Sequence, residues 1–239
     1  MATGTHAAFL NSIRDAAQSR IKTGVFADAA ASKAEIEQVG QSIAAKYRGV
    51  ISAAPIKSEE RASQKVGMDY DGDWHSIKDL ARMTIIVPTL ADCRSVLVDL
   101  KRAFTASQGR GLIQVKEVGA DADPCGYSST TVFVRTSNGR PAEIQINVPE
   151  IIYAKQSEES VRRILGPVRF MNIKMKYQLD GGLGHALYEI YRVAPASSRG
   201  QSAAALSRSY YAFFRQTVPS PAAASGLRKA LMDLGVRKH

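Results

Sequence analysis

The sequence predicts a mixed α+β domain, a β-sheet packed by helices, followed by a basic helical tail. Three observations predict it. Short β-branched or alternating segments recur between stretches of helical periodicity. A turn signal, Ser137-Asn138-Gly139, joins two of those segments in mid-chain, and Asn-Gly tolerates positive φ there. The 239 residues are 45% hydrophobic and 23% charged, which is enough to bury a core and typical of globular chains.

In order along the chain, a helix is expected over about residues 6–22. Ser32-Lys33-Ala34-Glu35 reads as a capping box. It opens a second helix over 33–48, with Ile36, Val39, Ile43 and Tyr47 at helical spacing. The polar segment 55–67, PIKSEERASQKVG, reads as helix, and DYDGDWHS as a loop. TIIVP, reached through Ser76–Arg82, is a short strand rich in β-branched residues. Residues 91–104 repeat Val96, Leu97, Leu100 and Phe104 at helical spacing. Strands follow at Leu112–Val118, Thr131–Arg135 and Ala142–Val148, with the loop ADADPCGYSS before the second. Pro149 opens a helix, where its missing N–H costs nothing. That helix is expected to reach about Leu165, with Gly166 beyond its end, and another spans 184–193. APASSRGQSAAA then reads as a linker. It divides the chain into a domain at 1–195 and a tail at 196–239 that holds two short helices.

Charge sharpens that division. The net charge is +10, and from Arg192 onward eight basic residues stand against Asp233 alone. A basic tail suits an anionic partner such as nucleic acid, an acidic protein or a membrane surface; a merely solvated tail is the alternative. No apolar run has the length to span a bilayer. The N-terminal residues lack a basic flank before an apolar stretch, so no secretory signal is expected and action in the cytoplasm is. Cys93 and Cys125 make no disulfide framework, and with four scattered histidines they do not read as a zinc site.

The chemistry-bearing candidates begin with the strand after the turn. Side chains alternate along a strand, so Ile144 and Ile146 face one way and Glu143, Gln145 and Asn147 the other. The polar side is either a solvated sheet surface or the floor of a cleft, with Glu143 as metal ligand or general base. Asp79 precedes the strand TIIVP. It is either an ordinary turn carboxylate or a ligand for Mg²⁺, which binds through one or two carboxylates plus substrate phosphates. Lys57, Arg61 and Lys65 recur every four residues. On a helix they share a face, either as a phosphate clamp or as a solvated row paired with Glu59 and Glu60.

Several motifs are excluded. There is no G-x-x-x-x-G-K-[ST] loop. Asp69-Tyr-Asp71-Gly-Asp73 starts like a calcium loop, but Trp74 stands where glycine is needed. Gly126-Tyr-Ser-Ser-Thr130 lacks the last glycine of a nucleophile elbow. His185 and Glu189 read as a structural pair.

The order of the parts is more informative than any single one. KSEERASQK at 57–65, Asp79 before a strand, Gly126-Tyr127-Ser128-Ser129, Glu143-Ile-Gln145-Ile and Tyr153-Ala-Lys155 follow one another. Over about residues 50–192 this resembles the synthetase domain of the RelA/SpoT family of nucleotide pyrophosphokinases. The resemblance implies a nucleotidyltransferase-like mixed sheet. It implies transfer of pyrophosphate from ATP to a ribose 3′-hydroxyl with release of AMP, and Mg²⁺ as cofactor. Lys57, Ser58, Arg61 and Lys65 then fall in the ATP-phosphate segment. Asp79 and Glu143 hold the metal, and Glu143 activates the hydroxyl. Tyr127 stacks on the acceptor base, with Ser129, Gln145, Asn147 and Lys155 on the acceptor side.

Three departures bear on the acceptor. The family's Asp-x-x-Gly-x-Arg is Asp79-Leu80-Ala81-Arg82-Met83-Thr84 here. Thr131 stands where the family has histidine, and Asn147-Val148 replaces an Arg-Thr pair. No hydrolase half is present. The resemblance is therefore to synthetase-only, toxin-like members acting in a bacterial cytoplasm, delivered there as a domain of a secreted effector and neutralised by an immunity or antitoxin protein. The acceptor is a purine nucleotide, giving ppGpp- or ppApp-type products. The alternatives are an RNA 3′ end such as that of tRNA, or a catalytically silent RNA-binding module.

Overall fold

The computed structural model describes residues 3–105 and 109–236, with the side chains of its first helix from Ser12 onward. The elements run α1 (Thr3–Lys46), β1 (Val50–Ala53), α2 (Glu59–Asp69), β2 (Ala81–Ile86), α3 (Leu90–Ala103), β3 (Gly111–Val118), β4 (Ser129–Arg135) and β5 (Pro141–Asn147). They continue as α4 (Pro149–Lys155), α5 (Glu158–Tyr177), α6 (Leu183–Val193), α7 (Ser198–Phe214) and α8 (Pro221–Asp233). The strands form one sheet in the order β1-β2-β5-β4-β3. Only β2 and β5 pair in parallel; the other neighbours are antiparallel. The expected α+β class is what the chain adopts, and β5 lies at the sheet's centre.

One face of that sheet is dry. Met83 and Ile85 of β2, Ile144 and Ile146 of β5 and Val132 of β4 meet Ile36 and Ile43 of α1 and Val96, Leu100 and Phe104 at α3. Burying each such aliphatic side chain stabilises the fold by about 1.5–3 kcal/mol. α1 lies so close to the sheet that a Cβ on Gly40 would sit 1.9 Å from Met83 Cε. A second core gathers α4 to α8 around Tyr153, Phe170, Tyr177, Tyr210, Phe213 and Phe214.

Three expectations are corrected. The two N-terminal helices are one, because the alanine-rich stretch around residues 27–34 has the propensity to continue the helix. Ser32 and Glu35 do not cap it. Ser32 Oγ lies 2.9 Å from Thr136 Oγ1, and Glu35 accepts from Ser137 N and from Arg110 Nε at 2.8 Å, so both tie α1 to the β4–β5 turn. The helix after Pro149 stops at Lys155, and Ser157 caps α5 by accepting from Ser160 N. Within α5 the helical backbone breaks at Gly166, whose φ of 77° and ψ of 161° are not helical, so the stretch from Glu158 ends where expected, and a second stretch opens at Pro167.

The third correction concerns the tail. Residues 198–214 are a helix packed on α6, with Tyr210, Tyr211, Phe213 and Phe214 buried. Gly200, Ala203 and Ala204 are buried on it too; small residues let the helix backbones approach. α8 buries Ala224 and Leu231. The division at 195–196 therefore does not separate a core from a tail. Arg237 and Lys238 of the basic count lie outside the described residues. Among those described, no helix is long and apolar enough to cross a membrane.

Candidate active site

The sheet's other face is polar at its centre. The parallel register sets Arg82 beside Glu143, Thr84 beside Gln145 and Ile86 beside Asn147. On the far side of β5, Phe133 opposes Glu143 and Thr131 opposes Gln145. Alternation thus places a carboxylate, an amide and a guanidinium together, with the dry core behind them. They floor a cleft of about 320 Å³ whose walls include Arg61 from α2, Lys155 from α4 and His185 from α6. Gln145 Nε2 donates to Glu143 Oε1 at 2.8 Å and so orients the carboxylate. Arg82 Nε is buried with no hydrogen-bond partner. That leaves a desolvated donor next to Glu143, the condition an anionic ligand relieves.

Beside the cleft lies a buried charge cluster. Asp79 is 6% exposed, and its Oδ2 accepts from Lys57 Nζ at 2.5 Å and Lys65 Nζ at 2.8 Å. Burial pushes the Asp79 carboxyl up, and the hydrogen bonds from the two lysines more than reverse this, so it is held below the usual carboxylate range. The lysines diverge. Burial pulls Lys57 down despite its bond to Asp79, whereas in the less buried Lys65 burial is outweighed by the Asp79 bond and charge, and its value rises. Lys65 also feels the charge of Glu143, which links the cluster to the cleft.

Asp79 Oδ1 is buried without a partner, an oxygen left free by the protein. Among the described residues no group of three or more His, Cys, Asp or Glu gathers for a metal. A carboxylate oxygen without a protein partner, with Glu143 acting on the same Lys65 that holds Asp79, fits a hard cation that takes its remaining ligands from phosphates and water.

Tyr127 stands on a loop beside β5. Its hydroxyl accepts from Asn147 Nδ2 at 3.1 Å and Lys155 Nζ at 3.3 Å, and donates to Gln145 Oε1 at 3.4 Å. Lys155 Nζ also lies 4.4 Å from the ring centre, and Tyr211 packs edge-on at 5.7 Å. Tyr127, Tyr188, Tyr211, Lys155 and His185 line a second cavity of about 320 Å³. Lys155 and His185 border both cavities.

The remaining sequence candidates fall in different places. Lys57 lies outside α2, because Ser58 caps that helix by accepting from Arg61 N; the three cations therefore do not share one helix face. Lys57 and Lys65 hold Asp79, while the exposed Arg61 lines the cleft. Ser58 is exposed at the cap. Asn147 is 5% exposed; its Nδ2 donates to Tyr127 Oη and Ser128 O, and its Oδ1 accepts from Val148 N. Its amide nitrogen is thus spent on the Tyr127 loop and its oxygen on the entry to α4. Ser129 Oγ lies 3.5 Å from Thr131 Oγ1. Sequence reasoning missed Arg82, His185 and Tyr211 as site residues. The alternation of Arg82 and Thr84 with Ala81, Met83 and Ile85 carried a signal for the first. The other two come from helices whose local sequence shows nothing of the sheet they cover.

A five-stranded mixed sheet flanked by helices, with one dry face and one polar face under a cation-rimmed cleft, defines an α+β domain built to hold an anionic ligand. No family model matches the chain. It is 44% identical over 188 residues to the (p)ppApp synthetase toxin Tas1 of Pseudomonas aeruginosa (strain UCBPP-PA14), covering 78% of this chain. The chain spans about two fifths of that relative's length, 41%. The solved complex of the Type VI effector Tas1 and its immunity protein superposes with a TM-score of 0.70 at 43% identity, covering 81% of this chain and 95% of that one. A GTP pyrophosphokinase family protein from Streptococcus pneumoniae is similar at 18% identity, with a TM-score of 0.46 over 75% of this chain and 82% of that one. The chain belongs to the RelA/SpoT-like synthetase family, in the branch of the Tas1 effector.

Proposed function

We propose that this chain is an ATP-dependent pyrophosphokinase that modifies the 3′-hydroxyl of a purine nucleotide and acts as a growth-inhibiting toxin. The supporting observation is Glu143, oriented by Gln145 and set beside Arg82 on the one polar face of the sheet. The name of the 44%-identical relative, a (p)ppApp synthetase toxin, favours an adenine nucleotide as acceptor.

In this reading the acceptor's 3′-oxygen attacks the β-phosphorus of ATP, the bond from that phosphorus to the α–β bridging oxygen breaks, and AMP leaves. Glu143 takes the hydroxyl proton as general base. Arg61, Arg82 and Lys65 offset the phosphate charge, and positioning with charge neutralisation supplies most of the catalysis. Lys155 and Tyr127 border the acceptor side. Asp79 and Glu143 would hold Mg²⁺, which when bound supplies neutralisation of the polyphosphate. Lys57 and Lys65 keep Asp79 ionised for that role.

The RNA reading rested on a basic tail, and three of its arginines are engaged within the fold. Arg208, Arg215 and Arg228 donate to the carbonyls of Pro124, Gly126 and Gln178. By analogy with the Tas1 complex, a neutralising immunity protein is the partner we propose, with the cytoplasm of a target bacterium as the place of action.

Incubation with Mg²⁺, ATP labelled in its β- and γ-phosphates, and ADP, ATP, GDP, GTP or tRNA tests this. Label should move to an adenine nucleotide and cease to move when the metal is chelated. A folded chain that labels no acceptor overturns the proposal.

A further inference from the structure

The loop that carries Tyr127 is held from outside by α7. Arg208, Tyr211 and Arg215 recur at spacings of three and four, so they share one face of that helix. Arg208 Nη1 donates to Pro124 O at 2.6 Å. Gly126, at φ 75°, meets the helix so closely that a Cβ there would lie 2.7 Å from Arg208 Cα. Tyr211 braces the Tyr127 ring edge-on. Arg215 Nη2 donates to Gly126 O at 2.6 Å and to Ser128 Oγ at 2.8 Å. It therefore grips the residues on both sides of Tyr127. Within the loop Asp123 Oδ1 accepts from Cys125 N and Tyr127 N, and from the sheet side Asn147 Nδ2 donates to Ser128 O and Tyr127 Oη, so α7 supplies the hold on the outer side.

We propose that Arg215 is a positioning residue for the acceptor: by tying Gly126 and Ser128 to α7 it fixes the Tyr127 ring in the wall of the acceptor cavity. It borders neither cavity, so it acts through the loop. The assignment rests on the pyrophosphokinase reading, with the Tyr127 cavity as the acceptor side. It also gives residues 198–215 a role that a basic tail would not have. Hydrogen bonds from a guanidinium are stronger than neutral ones, so losing both should be felt at the loop before it is felt in the fold.

Steady-state kinetics on the full chain, varying ATP and an adenine nucleotide acceptor separately, tests it. Arg215→Ala should raise the acceptor KM about tenfold while kcat and the ATP KM stay within about twofold. Arg215→Lys, which can make one of the two bonds, should recover part of the loss. Ser128→Ala removes one bond without touching the helix, so it should raise the acceptor KM less and add little to Arg215→Ala. Hydrogen exchange at the Tyr127 and Ser128 amides should quicken in Arg215→Ala, a readout that needs no turnover. An acceptor KM unchanged in both Ser128→Ala and Arg215→Ala, or an equal rise in both KM values, overturns the positioning role and leaves the transfer reaction standing. If the unsubstituted chain transfers nothing, the functional reading fails, and unchanged exchange in Arg215→Ala overturns the clamp as well.

Discussion

The two faces of β5 are built from alternate residues of one strand, yet they do different work. Ile144 and Ile146 are fully or almost fully buried between strands and helices. Glu143 and Gln145, one residue away, are half-buried in a cleft. The apolar side provides stability and rigidity, and the polar side gives part of that up to hold a carboxylate beside a guanidinium. A sheet can support reactive groups in this way because its other face fixes the strands.

If that division holds, changes on the polar face should cost activity and changes on the dry face should cost stability. The largest effect is expected from Glu143→Gln, which should slow pyrophosphate transfer by about 10²–10⁴-fold with the melting temperature unmoved. Retained activity would reduce the polar face to a solvated surface. Asp79→Ala tests the buried ion cluster beside the cleft. It leaves Lys57 buried without its counter-charge, and chemical denaturation should show a loss of about 3–5 kcal/mol, alongside lost transfer. Ile144→Ala should cost about 2–5 kcal/mol, while the folded fraction keeps its rate per molecule.

A pH series separates the same contributions. Asp79 is held below its ordinary range in the folded chain, so the folded state binds its proton less readily than the unfolded state. Its stabilising contribution is present above the unfolded value of about 3.9 and is lost as pH falls through the lowered folded value. Urea midpoints should therefore drop with acid in the unsubstituted chain and drop less steeply in Asp79→Asn. The smallest effect is expected from Ser32→Ala, about 1 kcal/mol, because Ser32 is a polar tie between α1 and the β4–β5 turn.

The centre of the fold was legible because a strand's period of two forces the pattern. Glu143, Gln145 and the isoleucines between them could be assigned to faces from sequence alone. Arg82 is legible by the same rule, since it alternates with Ala81 and Met83, although its spacing from Asp79 departs from the family's Asp-x-x-Gly-x-Arg. The Lys57, Arg61 and Lys65 spacing misled because a four-residue repeat implies one helix face only if the helix includes all three, and Ser58 starts it after Lys57. The C-terminal region was misread for a different reason. Its arginines looked like solvated charge, but a guanidinium also satisfies backbone carbonyls, as at Pro124, Gly126 and Gln178. Composition does not distinguish those uses. Ser32 and Glu35 teach the same lesson at shorter range, since a capping pattern and a tertiary bridge use the same atoms.

The most direct measurement is mass spectrometry of the products formed from ATP, mixed purine nucleotides and tRNA. AMP should appear in equal amount to an adenine nucleotide heavier by one pyrophosphoryl group, and neither product should form with Glu143→Gln. ATP left intact by the folded chain, or ATP split to ADP and phosphate with no acceptor modified, would contradict the transfer reaction.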